Sequence, residues 1–252
     1  DSNWFRPCPY PILLILFLSS FASVTIDNSA IAVEKYVLNT TERQPYVNDE
    51  KQGFLELIIP ELFRRIGLSA EGEVMEASAR AILLAVEGVH DGVAERSAGL
   101  EKKFPKLVPV PEPINIYDFV AFTLDETIHM FDWNEMSGYS KCHIIGWKIL
   151  EEKLKGQQNV YTVRTAEQLF LMLAARRTEV AMYERRQGFA LANEKNIVVF
   201  ASEPPLIRKY QFIFLHQKHK KLVRPLAVAL RQMKRDGSYQ RVVDRTLKPF
   251  DQ

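Results

Sequence analysis

Cysteine is scarce in this 252-residue chain, which contains only Cys8 and Cys142. A framework of several disulfides is therefore excluded, and a chain of this length can bury a core that needs none. Charge of one sign is not in excess either, because the formal net charge is +2. A nucleic-acid-binding face usually needs a strong basic surplus. The composition therefore indicates a folded globular protein, and we expect no nucleic-acid partner.

Motifs for catalysis and cofactor binding are missing as well. The sequence contains no G-x-S-x-G, no phosphate-binding loop and no G-x-G-x-x-G. His216 and His219 form the only close pair of histidines, and the lysines around them would repel a metal cation. We therefore predict no cofactor and no metal.

A long hydrophobic run is absent, and a short one stands near the beginning. Residues 12–17 are apolar, but a membrane span needs about 20 such residues. Arg6 precedes this run, and the small-residue triplet 30–32 follows it, which together match the parts of a secretory signal peptide. We predict a signal peptide over residues 1–32, cleaved after Ala32, and hence a periplasmic protein. An uncleaved anchor and an N-terminal buried helix are the alternatives.

Strand and helix patterns alternate after residue 32. Strand patterns cover 37–41, 91–96, 117–124, 160–163, 179–183, 197–201 and 210–215, and helix patterns cover 53–67, 78–87, 146–154, 165–173, 187–192, 222–235 and 238–247. Ser78 is predicted to cap one helix, and Thr165 with Gln168 to cap another. Three prolines at alternate positions make 106–113 an edge strand or an extended connector. Repeated β-α units argue for α/β lobes with largely parallel sheets.

Five residues stand at strand ends, helix starts or loops, where α/β sheets bind ligands. Arg80 and Arg96 could grip a carboxylate, or they could pair with neighbouring glutamates. Tyr46 and Trp147 could form apolar walls for a ligand, or they could pack in the core. Glu184 could bind a ligand amine, or it could pair with the two arginines that follow it.

Several loosely patterned segments together resemble a known family. They are Gln44-Pro45-Tyr46 followed by a helix between Gly53 and Gly67, the stretch from Arg80 through Gly88 to Asp91-Gly92, the segments 99–105 and 107–114, Arg177-Thr178-Glu179, and Asp236-Gly237-Ser238-Tyr239. Their order resembles the family 3 extracellular solute-binding proteins, which are amino-acid-type receptors of bacterial transporters. The resemblance covers nearly all of the chain after residue 32.

The resemblance implies a type II two-lobe α/β fold. Each lobe would be a mostly parallel sheet flanked by helices, and two crossover strands would join the lobes. The first lobe would comprise 33–117 plus 210–252, and the second 118–209. A small polar molecule, amino-acid-like and carboxylate-bearing, would be held in the cleft and delivered to the permease of an ABC-type transporter. We expect a monomer.

The same resemblance assigns roles to the five candidates. Arg80 and Arg96 would hold an anionic group, Tyr46 and Trp147 would sandwich the ligand, and Glu184 would take a positive group or hydroxyls. We expect a receptor and not an enzyme.

The chain departs from the family pattern at several positions. Lys102 and Lys103 stand in place of its usual arginine, Gly146-Trp147 stands in place of Gly-Thr, and Glu184 in place of an aspartate.

Two other functions remain open. One is a dehydratase-like enzyme on the same scaffold, with Glu76 and Glu184 as the candidate acid or base. The other is a sensory module of a signalling system.

Overall fold

The computed structural model describes residues 35–128 and 132–252. The predicted signal peptide, 1–32, lies outside the described residues, so its presence and cleavage stay predictions. Within the described residues, no helix combines the length and the apolar character needed to cross a membrane.

Ten strands of the described residues form one mixed sheet. They are β1 (Lys35–Thr40), β2 (Ser69–Val74), β3 (Gly92–Ser97), β4 (Leu107–Pro109), β5 (Asn115–Thr123), β6 (Lys141–Ile144), β7 (Val160–Val163), β8 (Val180–Glu184), β9 (Phe200–Ala201) and β10 (Ile207–His216). The order across the sheet is β2-β1-β3-β10-β5-β8-β6-β7, with β4 paired to β10 and β9 paired to β5.

The pairing directions divide this sheet into two lobes joined by two strands. β1 runs parallel to β2 and β3, and β6 runs parallel to β7 and β8. The strands β5 and β10 are antiparallel to each other, from Asn115 opposite Gln211 to Phe119 opposite Ile207. The predicted two-lobe α/β fold with two crossover strands is therefore confirmed, while the lobe boundaries stay a prediction.

Helices flank the sheet. They are α1 (Phe54–Arg64), α2 (Ser78–Val86), α3 (Leu100–Lys103), α4 (Lys148–Lys153), α5 (Ala166–Ala174), α6 (Arg185–Glu194), α7 (Lys220–Arg235) and α8 (Ser238–Thr246). The face of α1 that carries Leu55, Ile59 and Leu62 is fully buried, as its spacing predicts. Burial of this apolar stripe against the sheet, more than helix propensity, holds such a helix in place.

The two predicted helix caps have different outcomes. Thr165 caps α5, and its hydroxyl accepts a hydrogen bond from the backbone N–H of Gln168. The prediction for Ser78 is wrong, because Ala77 is the N-cap of α2 and makes no side-chain cap bond. The hydroxyl of Ser78 lies instead 3.4 Å from the guanidinium of Arg96.

Some elements differ from the sequence patterns. The strand β2 was not predicted, because only Ala70 of its six residues is buried and its apolar signal is weak. The predicted strand 197–201 is reduced to β9, and the short helix predicted at 187–192 extends over all of α6. The proline-rich stretch contributes β4, which pairs only with β10.

Candidate functional site

The carboxyl ends of strands from both lobes surround the candidate site. Glu42 follows β1, Arg96 lies at the end of β3, Trp147 follows β6 and Glu184 is the last residue of β8. Ligands of open α/β sheets bind outside these ends. The fold therefore brings the sequence-predicted region to the junction of the lobes.

Tyr46 lies in the loop between β1 and α1 and is fully buried. Its carbonyl accepts a hydrogen bond from the N–H of Leu55, and a side chain at Gly53 would collide with the same carbonyl. Only glycine permits this close approach of loop and helix. The ring of Tyr46 lies 5.1 Å from that of Tyr117, measured between centroids. Its hydroxyl makes no hydrogen bond of good geometry within the described residues, although the side chain of Asn115 faces it.

Glu184 is buried and acts as the N-cap of α6. Its carboxylate accepts a hydrogen bond of 2.9 Å from the backbone N–H of Gln187. Burial raises the pKa of Glu184 to about 7, while the cap bond and the nearby guanidinium of Arg186 act in the opposite direction. Glu184 therefore combines a structural cap with a carboxyl group that titrates near neutral pH.

Trp147 is the N-cap residue of α4 and is partly buried. Its indole stacks on Tyr183 with a centroid distance of 4.9 Å and an angle of 19° between the rings. Phe119 of β5 meets the indole edge-on at 5.6 Å. Trp147 therefore packs on Tyr183, which sequence reasoning did not single out, and its role as a wall for a ligand stays a prediction.

Arg96 is held by groups of its own lobe. Its guanidinium donates to the carbonyl of Glu95 at 2.7 Å and to the hydroxyl of Thr41 at 3.1 Å. It also lies 3.5 Å from a carboxylate oxygen of Glu42. Arg80, in contrast, is exposed on α2, and no hydrogen bond or ion pair among the described residues joins it to the other candidates. The structure thus does not bring the two arginines together.

Glu95 is a site residue that sequence reasoning treated only as a partner for Arg96. It is buried, and its Oε2 accepts a hydrogen bond of 3.0 Å from the hydroxyl of Tyr117. Its Oε1 makes no hydrogen bond of good geometry within the described residues, although the side chain of Asn115 faces the carboxyl group. Burial, followed by the charge of Glu42, holds the pKa of Glu95 well above its usual range. The signal available in the sequence was a charged residue, Glu95, directly after Ala94 within the predicted strand 91–96.

One hydrogen bond crosses from lobe to lobe beside these carboxylates. The side-chain amide of Gln187, on α6, donates to Oε2 of Glu42 at 2.9 Å. The hydroxyl of Tyr183 lies 3.4 Å from the amide oxygen of Gln187. Because Glu42 also contacts Arg96, a continuous series of side-chain contacts connects β3 to α6.

At the lobe junction, carboxyl groups outnumber the arginines that pair with them. Arg186 binds Asp251 at 2.6 Å and donates to the amide oxygen of Asn115 at 3.2 Å. Glu42 has Arg96. Glu95 and Glu184 form no salt bridge within the described residues, although both are about 1% exposed.

A cavity of about 240 Å³ opens beside the junction. It lies between the loop after β1 and the helices α5 and α6, and it is lined by Arg43, Gln44, Val47, Asn48, Asp49, Ala166, Glu167, Tyr183, Gln187, Ala190, Leu191 and Glu194. Tyr183 and Gln187 belong both to this lining and to the contacts at the junction. No group of three or more residues of the metal-binding types is placed to hold a metal ion in the described part of the chain.

Comparison with solved structures identifies the fold. The probable amino-acid ABC transporter extracellular-binding protein ytmK from Bacillus subtilis superposes with a TM-score of 0.72 at 17% identity, covering 85% of this chain and 99% of its own. This chain has the two-lobe fold of periplasmic solute-binding proteins. A mutant arginine-binding protein, ArgBP of T. maritima, gives a TM-score of 0.67 at 16% identity, over 85% of this chain and 95% of its own.

The solute-binding fold also occurs in a signalling protein. A histidine kinase sensor domain with similarity to periplasmic binding proteins matches with a TM-score of 0.71 at 14% identity, covering 85% of this chain and 96% of its own. No protein-family model matches the sequence, and no curated protein matches it significantly. At these identities the likeness extends to the fold, and the site must be interpreted from its own residues.

Proposed function

We propose that the chain is an extracytoplasmic solute-binding protein that holds a small polar molecule between its lobes and does not convert it. The observation that carries the proposal is a group of buried polar atoms at the lobe junction, the hydroxyl of Tyr46, Oε1 of Glu95 and Nδ2 of Asn115. None makes a hydrogen bond of good geometry within the described residues, although the side chain of Asn115 faces both Tyr46 and Glu95. Each such atom costs about 1–3 kcal/mol of stability, and proteins rarely leave several together without a function.

The contact between the lobes supports a binding cycle. The hydrogen bond from Gln187 to Glu42 must break before a molecule can enter between the lobes. The crossover strands β5 and β10 are the segments about which the lobes would separate, as in other two-lobe proteins. In this proposal the closed, occupied protein is a periplasmic monomer, and a transporter permease recognises it.

The expected carboxylate of the solute has only limited support in the geometry. Arg80 is exposed, and Arg96 already contacts Glu42. Lys102 and Lys103 are also exposed, on α3. We therefore propose a small polar solute, and we infer the sign of its charge from the buried carboxyl groups of the junction.

Thermal unfolding with a broad set of small molecules tests the receptor function. The protein is first unfolded and refolded so that no co-purified molecule occupies the site. A solute at a hundredfold excess over its Kd stabilises the folded state by about 2.7 kcal/mol. Each kcal/mol raises the melting temperature of a chain of this size by about 2–4 °C, so a rise of about 5–10 °C is expected.

The same experiment distinguishes a receptor from an enzyme. The stabilising molecule is recovered after prolonged incubation and analysed by mass spectrometry, and a receptor returns it unchanged. Conversion of the molecule would favour an enzyme, with the buried Glu184 as the candidate acid or base. Glu76, the other candidate, is exposed and pairs with Arg43 at 3.0 Å. It therefore lacks the burial that tunes the pKa of a catalytic carboxyl.

A sensory module is the second candidate function, because a histidine kinase sensor domain shares this fold. Such a module would be continuous with a membrane helix and a kinase in the same polypeptide. Determining the full open reading frame decides between the two. A fused kinase would replace the transporter in the proposal and leave solute binding intact.

A further inference from the structure

The lobe junction holds more buried carboxyl groups than cations to pair with them. Among the described residues, Arg96 contacts Glu42, and Arg186 binds Asp251. Glu95 and Glu184 form no salt bridge there, although the charge of Arg186 reaches Glu184, and burial raises the pKa of both carboxyl groups. A bound cation would favour their ionised form, and a bound anion would oppose it. The charge balance of the junction therefore favours a cation.

Unpartnered acceptors lie at the same place. Oε1 of Glu95 and the hydroxyl of Tyr46 are both buried and make no hydrogen bond of good geometry within the described residues, although the side chain of Asn115 faces both residues. The two groups are neighbours, since Tyr117 bonds to Glu95 and packs its ring against that of Tyr46. Burial and the charges of Glu184 and Glu95 raise the pKa of the Tyr46 hydroxyl well above its usual range, while Arg186 and Asn115 act in the opposite direction. An ammonium group carries three donors and no acceptor, so it can satisfy both oxygens at once.

The aromatic rings of the junction suit the same class of molecule. Tyr46 packs with Tyr117, and Trp147 stacks on Tyr183. Faces of tyrosine and tryptophan attract organic cations, and they also pack against the carbon skeleton that carries the charge. A hydrated metal ion would not use these rings.

We propose that Glu95 and Tyr46 bind the protonated nitrogen of a small organic amine, and that the solute needs no carboxylate. This inference rests on the proposed receptor function and specifies the solute for that site. The lobe junction then selects against dicarboxylates by charge. It also selects against amino acids, because Arg96 and Arg186 are already engaged by Glu42 and Asp251.

Three series of compounds with matched carbon skeletons test this solute class. The refolded full chain is melted with α,ω-diamines, ω-amino acids and α,ω-dicarboxylates of two to six carbons. We expect at least one diamine to raise the melting temperature more than the amino acid and the dicarboxylate of the same length. A larger rise with an amino acid or a dicarboxylate would overturn the amine class and leave the receptor function standing. If these series, the twenty amino acids and a sugar panel all have no effect, the receptor function itself is contradicted.

Two variants then test the residues, with calorimetric titration of the best diamine. Glu95→Gln keeps the shape of the side chain and removes its charge, and we expect at least a tenfold loss of affinity. Glu126→Gln removes a carboxylate from an exposed residue of the second lobe and serves as the matched control, with unchanged affinity expected. Affinity of Glu95→Gln within twofold of the parent would remove Glu95 from the site.

Tyr46→Phe provides an independent measurement if Glu95→Gln does not fold. It keeps the ring contact with Tyr117 and removes only the unpartnered hydroxyl. We expect a higher melting temperature without ligand and at least threefold weaker binding of the diamine. A variant that binds the diamine as tightly as the parent would show that the hydroxyl is not part of the amine site.

Discussion

Replacing Glu184 by glutamine should change how the stability of the protein depends on pH. The carboxyl of Glu184 is fully buried at the start of α6, and burial raises its pKa from 4.5 to about 7. Between these two values the folded protein retains a proton that the unfolded chain has lost. Stability must then fall as the pH rises through this interval. Below pH 4.5 both states hold the proton, and above pH 7 the loss is complete.

The size of the effect follows from the two pKa values. One pKa unit corresponds to about 1.36 kcal/mol, so the rise from 4.5 to about 7 corresponds to about 3 kcal/mol. Glutamine cannot ionise, yet its side-chain oxygen can still accept the cap bond from Gln187. Relative to the parent, Glu184→Gln should therefore gain about 3 kcal/mol between pH 4.5 and 8. At about 2–4 °C per kcal/mol, the melting temperatures should diverge by about 6–12 °C.

The assay is thermal unfolding of the refolded, ligand-free proteins, followed by circular dichroism in half-unit steps of pH. Glu126→Gln, which removes a carboxyl group from an exposed residue, is the control and should give a difference from the parent that stays flat with pH. A difference between Glu184→Gln and the parent that is also flat from pH 4.5 to 8 would refute the reasoning. It would mean that Glu184 is ionised in the folded protein throughout this range.

Two further substitutions test the packing and the lobe contact. Gly188→Ala should lower the free energy of unfolding by about 1–3 kcal/mol, because a Cβ there would overlap the ring of the buried Phe122. Gly138→Ala, where a Cβ meets no atom within 4 Å, is the matched control, and equal denaturant midpoints for both variants would contradict the overlap. Gln187→Ala removes one of the hydrogen bonds between the lobes, worth about 0.5–1.5 kcal/mol, while Arg186 still binds Asp251, and it should enlarge the radius of gyration without ligand. An unchanged small-angle scattering profile would show that this bond does not hold the lobes together.

The alternation of elements could be predicted from the sequence because most strands and helices are strongly apolar on one or both faces. Thr165 was predicted as a cap on its local sequence, and its bond to the N–H of Gln168 joins groups only three residues apart. Ser78 was not a comparable case. Its hydroxyl turns toward Arg96, which is distant in sequence, and a tertiary contact of this kind leaves no local pattern.

The local structure around the candidate residues could be predicted, and their contacts only in part. A strand end indicated Glu184 and a helix start indicated Trp147, and these residues are the N-caps of α6 and α4. Glu95 was interpreted as a salt-bridge partner of Arg96, because adjacent opposite charges usually pair at a surface. Successive side chains of a strand point to opposite faces, so the side chain of Glu95 turns inward to Tyr117, and Arg96 bonds to the backbone carbonyl of Glu95 and not to its carboxylate. That outcome depends on the register of β3 in the sheet, which the sequence alone did not specify.

The stacking of Trp147 on Tyr183 provides an optical signal for the events at the junction. Indole emission responds to the polarity around the ring and to contact with neighbouring groups. A molecule that enters between the lobes, or a separation of the lobes, would change the surroundings of this partly exposed indole. Trp133 is the other tryptophan in the described residues, and Trp147→Phe would assign any change in emission to one of the two. Occupancy could then be followed in real time by intrinsic fluorescence, without a label.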